Sequence, residues 1–421
     1  MALVTELELP AFDHTEESMR GERFHSEMGR LRAEGWLARG PFGYLTLDRE
    51  AGEFFLRTRS GIFPGMKIAE IFGVREGPLY EQMRRNILHV NGEDHSRLRS
   101  LVNPALSQRA VERYRPAMRE SLRGLFEQAV GRSREAVGEG EEERIVRCEF
   151  VEAFAKPFPS QVIATVMGAP LEDAPRLHHW SNWIQRQFDA VAMASEVEGI
   201  EQAVGEFYEY AEDLVRARRE SPGDDLISKL IEAEEAGDRL SDVECINLVF
   251  NVLVGGVDTS QSQLAHAVRL LAENREQWEL LVENPSLAER VVEEALRFEP
   301  ITPFTARILT EDVTYRDVEF PEGTIVMVCA FTGNRDLDRE SAGEGGPDRF
   351  DITADRGRSR PLTFGAGVHY CLGANLARTE LQEGIEFIAR NMRDLELDGE
   401  LVYESVSGIY GLAELPIRFS L

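Results

Sequence analysis

One cysteine in this sequence stands where a thiolate could be made and used. Cys371 lies in Phe364-Gly365-Ala366-Gly367-Val368-His369-Tyr370-Cys371-Leu372-Gly373, just before a stretch patterned as a helix. A helix start offers unpaired N–H groups and the positive end of the peptide dipole, and both favour thiolate over thiol. Glycines around the sulfur let backbone N–H groups come close, and such hydrogen bonds tune a metal-bound thiolate. Taken alone, a cysteine beside a turn is as readily a small buried hydrophobe. A second candidate is Gly255-Gly256-Val257-Asp258-Thr259-Ser260, which interrupts an apolar helical run. Each interior glycine costs a helix about 1 kcal/mol relative to alanine, so the pair needs a reason. The Thr259 hydroxyl can bond back to the Gly255 carbonyl and bend the helix. Asp258 beside it makes an acid and an alcohol able to relay protons. His95 and Arg99 share one helix face, as do Glu294 and Arg297; each pair alone could be an ordinary surface feature.

The ten-residue frame F-x-x-G-x-H-x-C-x-G resembles the haem-binding loop of the cytochrome P-450 superfamily, the haem-thiolate monooxygenases. By that resemblance Cys371 is the proximal ligand of a haem b iron. Phe364 shields the sulfur, Gly365 and Gly373 belong to the cofactor loop, and His369 meets a haem propionate. The 255–260 segment resembles the family's oxygen-binding turn, with Gly255 where alanine is commoner. There Gly255 and Gly256 leave room for a flat cofactor and a diatomic ligand, and Thr259 and Asp258 are the catalytic pair. His95 and Arg99, of His95-Ser96-Arg97-Leu98-Arg99, resemble propionate ligands, as does Arg307. Glu294-Ala295-Leu296-Arg297 resembles the E-x-x-R pair, which the family completes with a later arginine. Arg349 of Pro347-Asp348-Arg349-Phe350 is the candidate, and the triad is structural. Asn334-Arg335-Asp336 and residues 221–240 resemble flanking segments, so the likeness covers nearly the whole chain. Loops 136–144 and 337–346 depart from the pattern by their length.

What must position these residues is mostly helix. Residues 93–300 and 372–392 carry helical periodicity, with β-rich portions at about 35–60, 305–335 and 396–421. Residues 35–48 read as a hairpin punctuated by Gly40-Pro41. Ser241-x-x-Glu244 is a capping box that opens one helix running to about Asn274. More than thirty residues at about 1.5 Å each make a rod of roughly 50 Å. The interleaving of helical and β segments points to one domain over 1–421. The resemblance implies a mainly α fold with a smaller β-rich part, a triangular prism with a long central helix over the haem.

The implied reaction is monooxygenation: O2 and external electrons hydroxylate or epoxidise a mostly apolar small organic molecule. A peroxide-driven or O2-independent haem-thiolate enzyme and a non-catalytic haem sensor are the alternatives. Expected pocket residues are Phe63, Met66, Phe72 and Leu88 from a 62–90 loop, and Val254 and Val257 from the central helix. Pro303, Phe304, Ile409 and Tyr410 complete the set. Residues 177–197, with His178, His179, Trp180, Trp183 and Met193, are expected to form a lid. No nicotinamide, flavin or iron–sulfur motif is present, so ferredoxin and ferredoxin reductase are the expected donors. Arg97, Arg109, Arg113, Arg358 and Arg360 would receive the ferredoxin.

Composition sets the outer bounds. Of 421 residues 75 are acidic and 47 basic, a net charge of −28, which argues against nucleic-acid binding. Lysine occurs only at Lys67, Lys156 and Lys229. The apolar runs look too short for a membrane span of about 20 residues, and the first residues lack a signal pattern. Cys148, Cys245, Cys329 and Cys371 are too far apart for a C-x-x-C zinc or redox pair. The expectation is a cytoplasmic monomer without a membrane anchor.

Overall fold

A computed structural model describes residues 2–137, 145–235, 240–337, 346–357 and 360–421. The departing loops at 136–144 and 337–346, and Arg358, fall wholly or mostly outside the described residues. The helices Pro157–Met167, Ala174–Gln185, Val197–Glu220, Ala288–Phe298 and Ala374–Asn391 pack around a central pair, Asp242–Gly256 and Asp258–Glu273. The central pair begins with the predicted capping box: Glu244 N–H donates to Ser241 Oγ, and Ser241 N–H donates to Glu244 Oε2 at 2.8 Å. Such a cap contributes about 1 kcal/mol. From Cys245 to Val254 all but Asn251 are buried, which is why the run is apolar on every side.

The expected single rod is instead two helices that meet at Val257, whose φ of −90° and ψ of −73° leave the regular helical range. The Thr259 hydroxyl supplies a cause by bonding the Gly255 carbonyl at 2.6 Å. A second correction concerns the membrane. Taken together, 242–273 are apolar and long enough to cross a bilayer, contrary to the sequence expectation. They form the buried core of this fold, with 67% of the most apolar window covered by protein. A core helix and a spanning helix need the same composition.

The largest sheet has five strands in the order Leu37–Gly40, Gly43–Thr46, Ile325–Cys329, Phe304–Leu309, Gly61–Ile62. The predicted hairpin supplies its first two strands, and Gly43–Thr46 pairs parallel with Ile325–Cys329. Arg307 opposes Val326 in the antiparallel pair beside it. The hairpin Val313–Tyr315 with Val318–Phe320 turns through Arg316 and Asp317, both at positive φ, as a two-residue turn requires. Strand Ile145–Glu149 lies where the sequence reads as helical. Its partner Pro416–Ser420 is about 270 residues away, so the pairing that makes it a strand leaves no local signal. Within the β-rich portion expected at about 396–421, one strand is only Val402–Tyr403, paired with Leu412–Glu414. The intervening tip is free to reach the central cavity through Ser407, Gly408 and Ile409.

Candidate functional site

The loop before Ala374–Asn391 is folded tightly on itself. Gly365 N–H donates to Leu362 O at 2.7 Å, Tyr370 N–H to Gly367 O at 3.2 Å, and Cys371 N–H to Phe364 O at 2.9 Å. Gly367 sits at φ 74°, and a Cβ there would stand 2.6 Å from the Leu56 carbonyl, so a side chain is excluded. Gly365 takes φ 67° for the same reversal. Phe364 lies beneath the Arg378 guanidinium, 4.5 Å from its ring centre. Cys371 follows this reversal, half-buried and facing a central cavity of about 450 Å³. Burial pushes its thiol up; the Gly373 N–H and the Arg99 and Arg378 guanidiniums pull the other way.

Across the cavity run Gly255, Gly256 and Thr259. The two glycines have different reasons. An added Cβ at Gly255 meets nothing within 4 Å, so this position leaves the cavity open. A Cβ at Gly256 would stand 2.4 Å from Ile163 Cδ1, so this glycine lets Pro157–Met167 approach. The expected joint clearance is therefore supplied by Gly255. Thr259 lines the cavity, but Asp258 does not. The Asp258 carboxyl is buried on another side, accepting from Ser181 Oγ and from Asn182 Nδ2 at 3.2 Å. Neighbouring helical residues point about 100° apart, so acid and alcohol cannot share a face. Burial raises the Asp258 carboxyl toward its neutral form.

At one end of the cavity His95, Arg99, Arg307 and His369 come together, with the His95 and His369 rings 4.4 Å apart. Burial lowers all four from their ordinary values, His369 to about 3 and Arg307 to about 10; neighbouring cations lower His369 and His95 further. Arg307 is 2% exposed and donates to its neighbour's carbonyl, Ala306 O; Arg99 donates to Tyr370 O; His369 Nδ1 has no partner. Among the described residues the one acid lining the cavity is Glu380, which burial pushes up to about 8 and so keeps neutral at pH 7. Four donors without a carboxylate, an apolar cavity and a cysteine beneath suit a flat apolar group carrying two carboxylates and a thiolate-seeking metal. Haem b has that donor requirement, and the residues present fit it. Among the described residues no cluster of His, Cys, Asp and Glu could hold a metal by itself.

The structural triad needs correction. Glu294 takes Arg297 Nε and Nη2 at 2.7 and 2.8 Å, but its second arginine is Arg356, with Nη2 at 2.6 Å. The Arg349 side chain turns out to Glu276 at 3.5 Å. Arg349 contributes only its carbonyl, which accepts from both Arg297 and Arg356. A segment that runs past the carboxylate can offer side chain or backbone at each step, and residue type alone does not say which.

Of the expected pocket residues, Phe63, Phe72, Leu88, Val254, Phe304 and Ile409 line the cavity. Met66, Val257, Pro303 and Tyr410 do not. Pro303 is buried between two lining neighbours, Thr302 and Phe304, as extended chain alternates. Met66 is off the face that brings Pro64, Ile68 and Phe72 inward, and Val257 turns into the core. Tyr410 packs against Phe24 and His266, and its hydroxyl accepts from Gly21 N–H at 3.1 Å. Of the side chains named for the expected lid only Met193 reaches the cavity, although Gln185, Gln187, Phe188 and Ala190 of the same segment line it too. Trp180 packs on Phe207 and Tyr210, Trp183 lies under Arg186, and His178 bonds Gln261. Sequence reasoning missed Glu380, Gln185, Gln187 and Arg356; no motif pointed to them. In the proposed docking set Arg97 pairs with Glu244 and Arg113 with Asp224, while Arg109 and Arg360 are exposed.

Comparison with known proteins agrees with this geometry. The profile of the family described as Cytochrome P450 matches residues 70–393. Luteothin monooxygenase of Streptomyces thioluteus is 32% identical over 98% of this chain and 96% of its own length. Mycinamicin IV hydroxylase/epoxidase of Micromonospora griseorubida is 33% identical over 80% of each chain. The crystal structure of CalO2 superposes with a TM-score of 0.85 at 29% identity, covering 98% of this chain and 99% of that one. With the profile covering well over half its length, and relatives of this kind named as monooxygenases, the chain belongs to the cytochrome P450 family as a haem b-dependent monooxygenase.

Proposed function

We propose that this P450 hydroxylates or epoxidises a mostly apolar small organic molecule with electrons from a ferredoxin and its reductase. The observation that carries the reading is Cys371, at a helix start, facing a cavity whose end holds four donors and no carboxylate. Bound there, haem b supplies the binding and activation of dioxygen. Cys371 as thiolate holds the iron, with the Gly373 N–H tempering the sulfur's charge. His95, Arg99, Arg307 and His369 hold the two propionates. Gly255 leaves space beside the cofactor. The Thr259 hydroxyl gives its own proton to Gly255 O, so its oxygen faces the cavity as an acceptor. The Asp258 carboxyl is held by Ser181 and Asn182 on another face of the helix, so its part is to fix this turn and not to hand a proton directly to that hydroxyl. Apolar walls exclude water from the reacting carbon. Relatives named as a luteothin monooxygenase and a mycinamicin IV hydroxylase/epoxidase support hydroxylation or epoxidation as the reaction, and we place the enzyme in the cytoplasm as a monomer. Arg109 and Arg360 are the exposed cations offered to an acidic donor protein.

The test is Cys371→Ala. Wild-type protein loaded with haem is expected to give the thiolate-type reduced-CO band, and the variant to lose it. A variant that keeps the band would show that another residue holds the iron.

A further inference from the structure

The wall built by Ala174–Gln185 and Arg186–Phe188 carries two glutamines whose amides are half used. Gln185 Nε2 donates to Val254 O at 2.8 Å, and Gln187 Nε2 donates to Ile184 O at 3.0 Å. A carbonyl only accepts, so the nitrogen of each amide must face it, and that settles which way the amide lies. Both Oε1 atoms therefore turn the other way. Neither has a partner, although Gln185 is 8% and Gln187 1% exposed, and both residues line the cavity. On the central helix Gln263 is half used in the same way, its Nε2 donating to Glu299 O at 3.2 Å and its Oε1 unpartnered, while the asparagine and serine oxygens of the wall are taken. The Asn86 and Asn251 side-chain oxygens accept from Leu88 and Ile87 N–H, and Ser407 Oγ accepts from Ala190 N–H. The glutamine carbonyls remain as buried acceptors that the fold leaves for something else. An unmet acceptor is a cost to the folded chain, and a ligand donor offsets it.

The surroundings define that donor. Phe63, Phe188, Met193 and Ile409 make the same part of the lining apolar. His14, the other unpartnered group there, is lowered by burial and stays neutral. No carboxylate lines this part of the wall, Asp13 and Asp189 acting on His14 from outside the lining, so a neutral donor meets the carbonyls at a smaller desolvation cost than an ammonium.

We propose that Gln185 and Gln187 form a donor-recognition subsite. The substrate is an apolar body that carries a neutral hydroxyl or amide N–H on the side lying against this wall. Anchoring that donor fixes which carbon is presented to the cofactor. The inference rests on the monooxygenase reading of the cavity and adds the chemistry of the ligand.

The experiment titrates haem-loaded enzyme with two matched pairs, dodecan-1-ol and its methyl ether, and cyclododecanol and its methyl ether. Binding is read from the spin-state change in absorbance and from calorimetry. The ether keeps the skeleton and the oxygen but lacks the donor. At least one alcohol is expected to bind about fivefold more tightly than its ether, the factor that one net neutral hydrogen bond gives. In Gln187→Leu, whose amide bonds only within its own turn, that ratio is expected to fall toward one while the ether's affinity is kept. Gln185→Leu should act in the same direction. Equal binding of alcohol and ether in both pairs overturns the proposal, as does a preference that survives in the double variant or, should that fail to fold, in both single variants. Failure of the reading beneath it has a separate signature: wild-type protein without the thiolate-type reduced-CO band, recorded on the same sample before titration.

Discussion

Replacing Arg356 by alanine separates the two arginines that could complete the Glu294–Arg297 pair. Arg356 gives the buried Glu294 carboxylate two charge-assisted hydrogen bonds, Nη2 at 2.6 Å and Nε at 3.2 Å. After the change Glu294 keeps Arg297 and the Asp351 N–H at 3.0 Å, so it is weakened and not abandoned. Charge-assisted bonds contribute about 1.5–3 kcal/mol, and with the remaining partners the loss comes to about 2–3 kcal/mol. Arg349→Ala removes a half-exposed contact with Glu276 and costs under about 1 kcal/mol. Glu294→Ala leaves Arg297, 4% exposed, without a counter-charge and costs about 3–5 kcal/mol. Unfolding entropy of about 2.1 cal/mol/K per residue amounts to roughly 0.9 kcal/mol/K for this chain. Tm should therefore fall by about 2–4 °C for Arg356→Ala, about 1 °C or less for Arg349→Ala, and about 3–6 °C for Glu294→Ala. Circular dichroism melts at one scan rate measure all three. A fall for Arg349→Ala equal to that for Arg356→Ala would refute the assignment.

The two adjacent glycines should respond oppositely. Gly256→Ala drives a methyl into Ile163 and is expected to lower stability by about 1–2 kcal/mol, overpacking outweighing the helix gain. Gly255→Ala enters open space and should leave stability equal or up to about 1 kcal/mol higher. Urea midpoints decide, and a larger loss at Gly255 contradicts the packing argument. Glu380 predicts a pH dependence. Its folded value of about 8, against 4.5 for the free side chain, means the folded protein holds a proton there that the unfolded chain has released. That advantage is whole below pH 4.5, declines as pH rises, and is gone above about 8. Wild-type stability relative to Glu380→Gln should thus fall between pH 5.5 and 8.5, by up to about 4 kcal/mol. A difference that stays flat over this interval would show that Glu380 is ionised throughout.

Local chemistry was legible in the sequence wherever a residue's role depends on its immediate neighbours. The Cys371 loop needs glycine at 367 because the chain reverses against Leu56, and the pattern of glycines announces such a reversal. The capping box at Ser241 and the Thr259 bond to Gly255 are likewise bonds within one turn of helix. Family membership followed from these motifs and their order. Alternation and periodicity also marked most helices and the 35–48 hairpin, since each pattern is local to its element.

What depends on partners distant in the chain was decided by tertiary structure. Ile145–Glu149 is a strand because Pro416–Ser420 runs beside it. Asp258 and Thr259 are adjacent in sequence, yet one faces Ser181 and the other the cavity. Arg349 and Arg356 are two arginines on one loop, and only packing chose which side chain reaches Glu294. The same holds for Gln185 and Gln187, whose spare carbonyls become visible once their amide nitrogens find backbone partners. Sequence by itself determined which chemistry this protein carries, because the motif residues are bonded to their own neighbours. Direction, and with it the shape and polarity of the site, waited for the fold, because the orientation of a side chain is a property of everything packed around it.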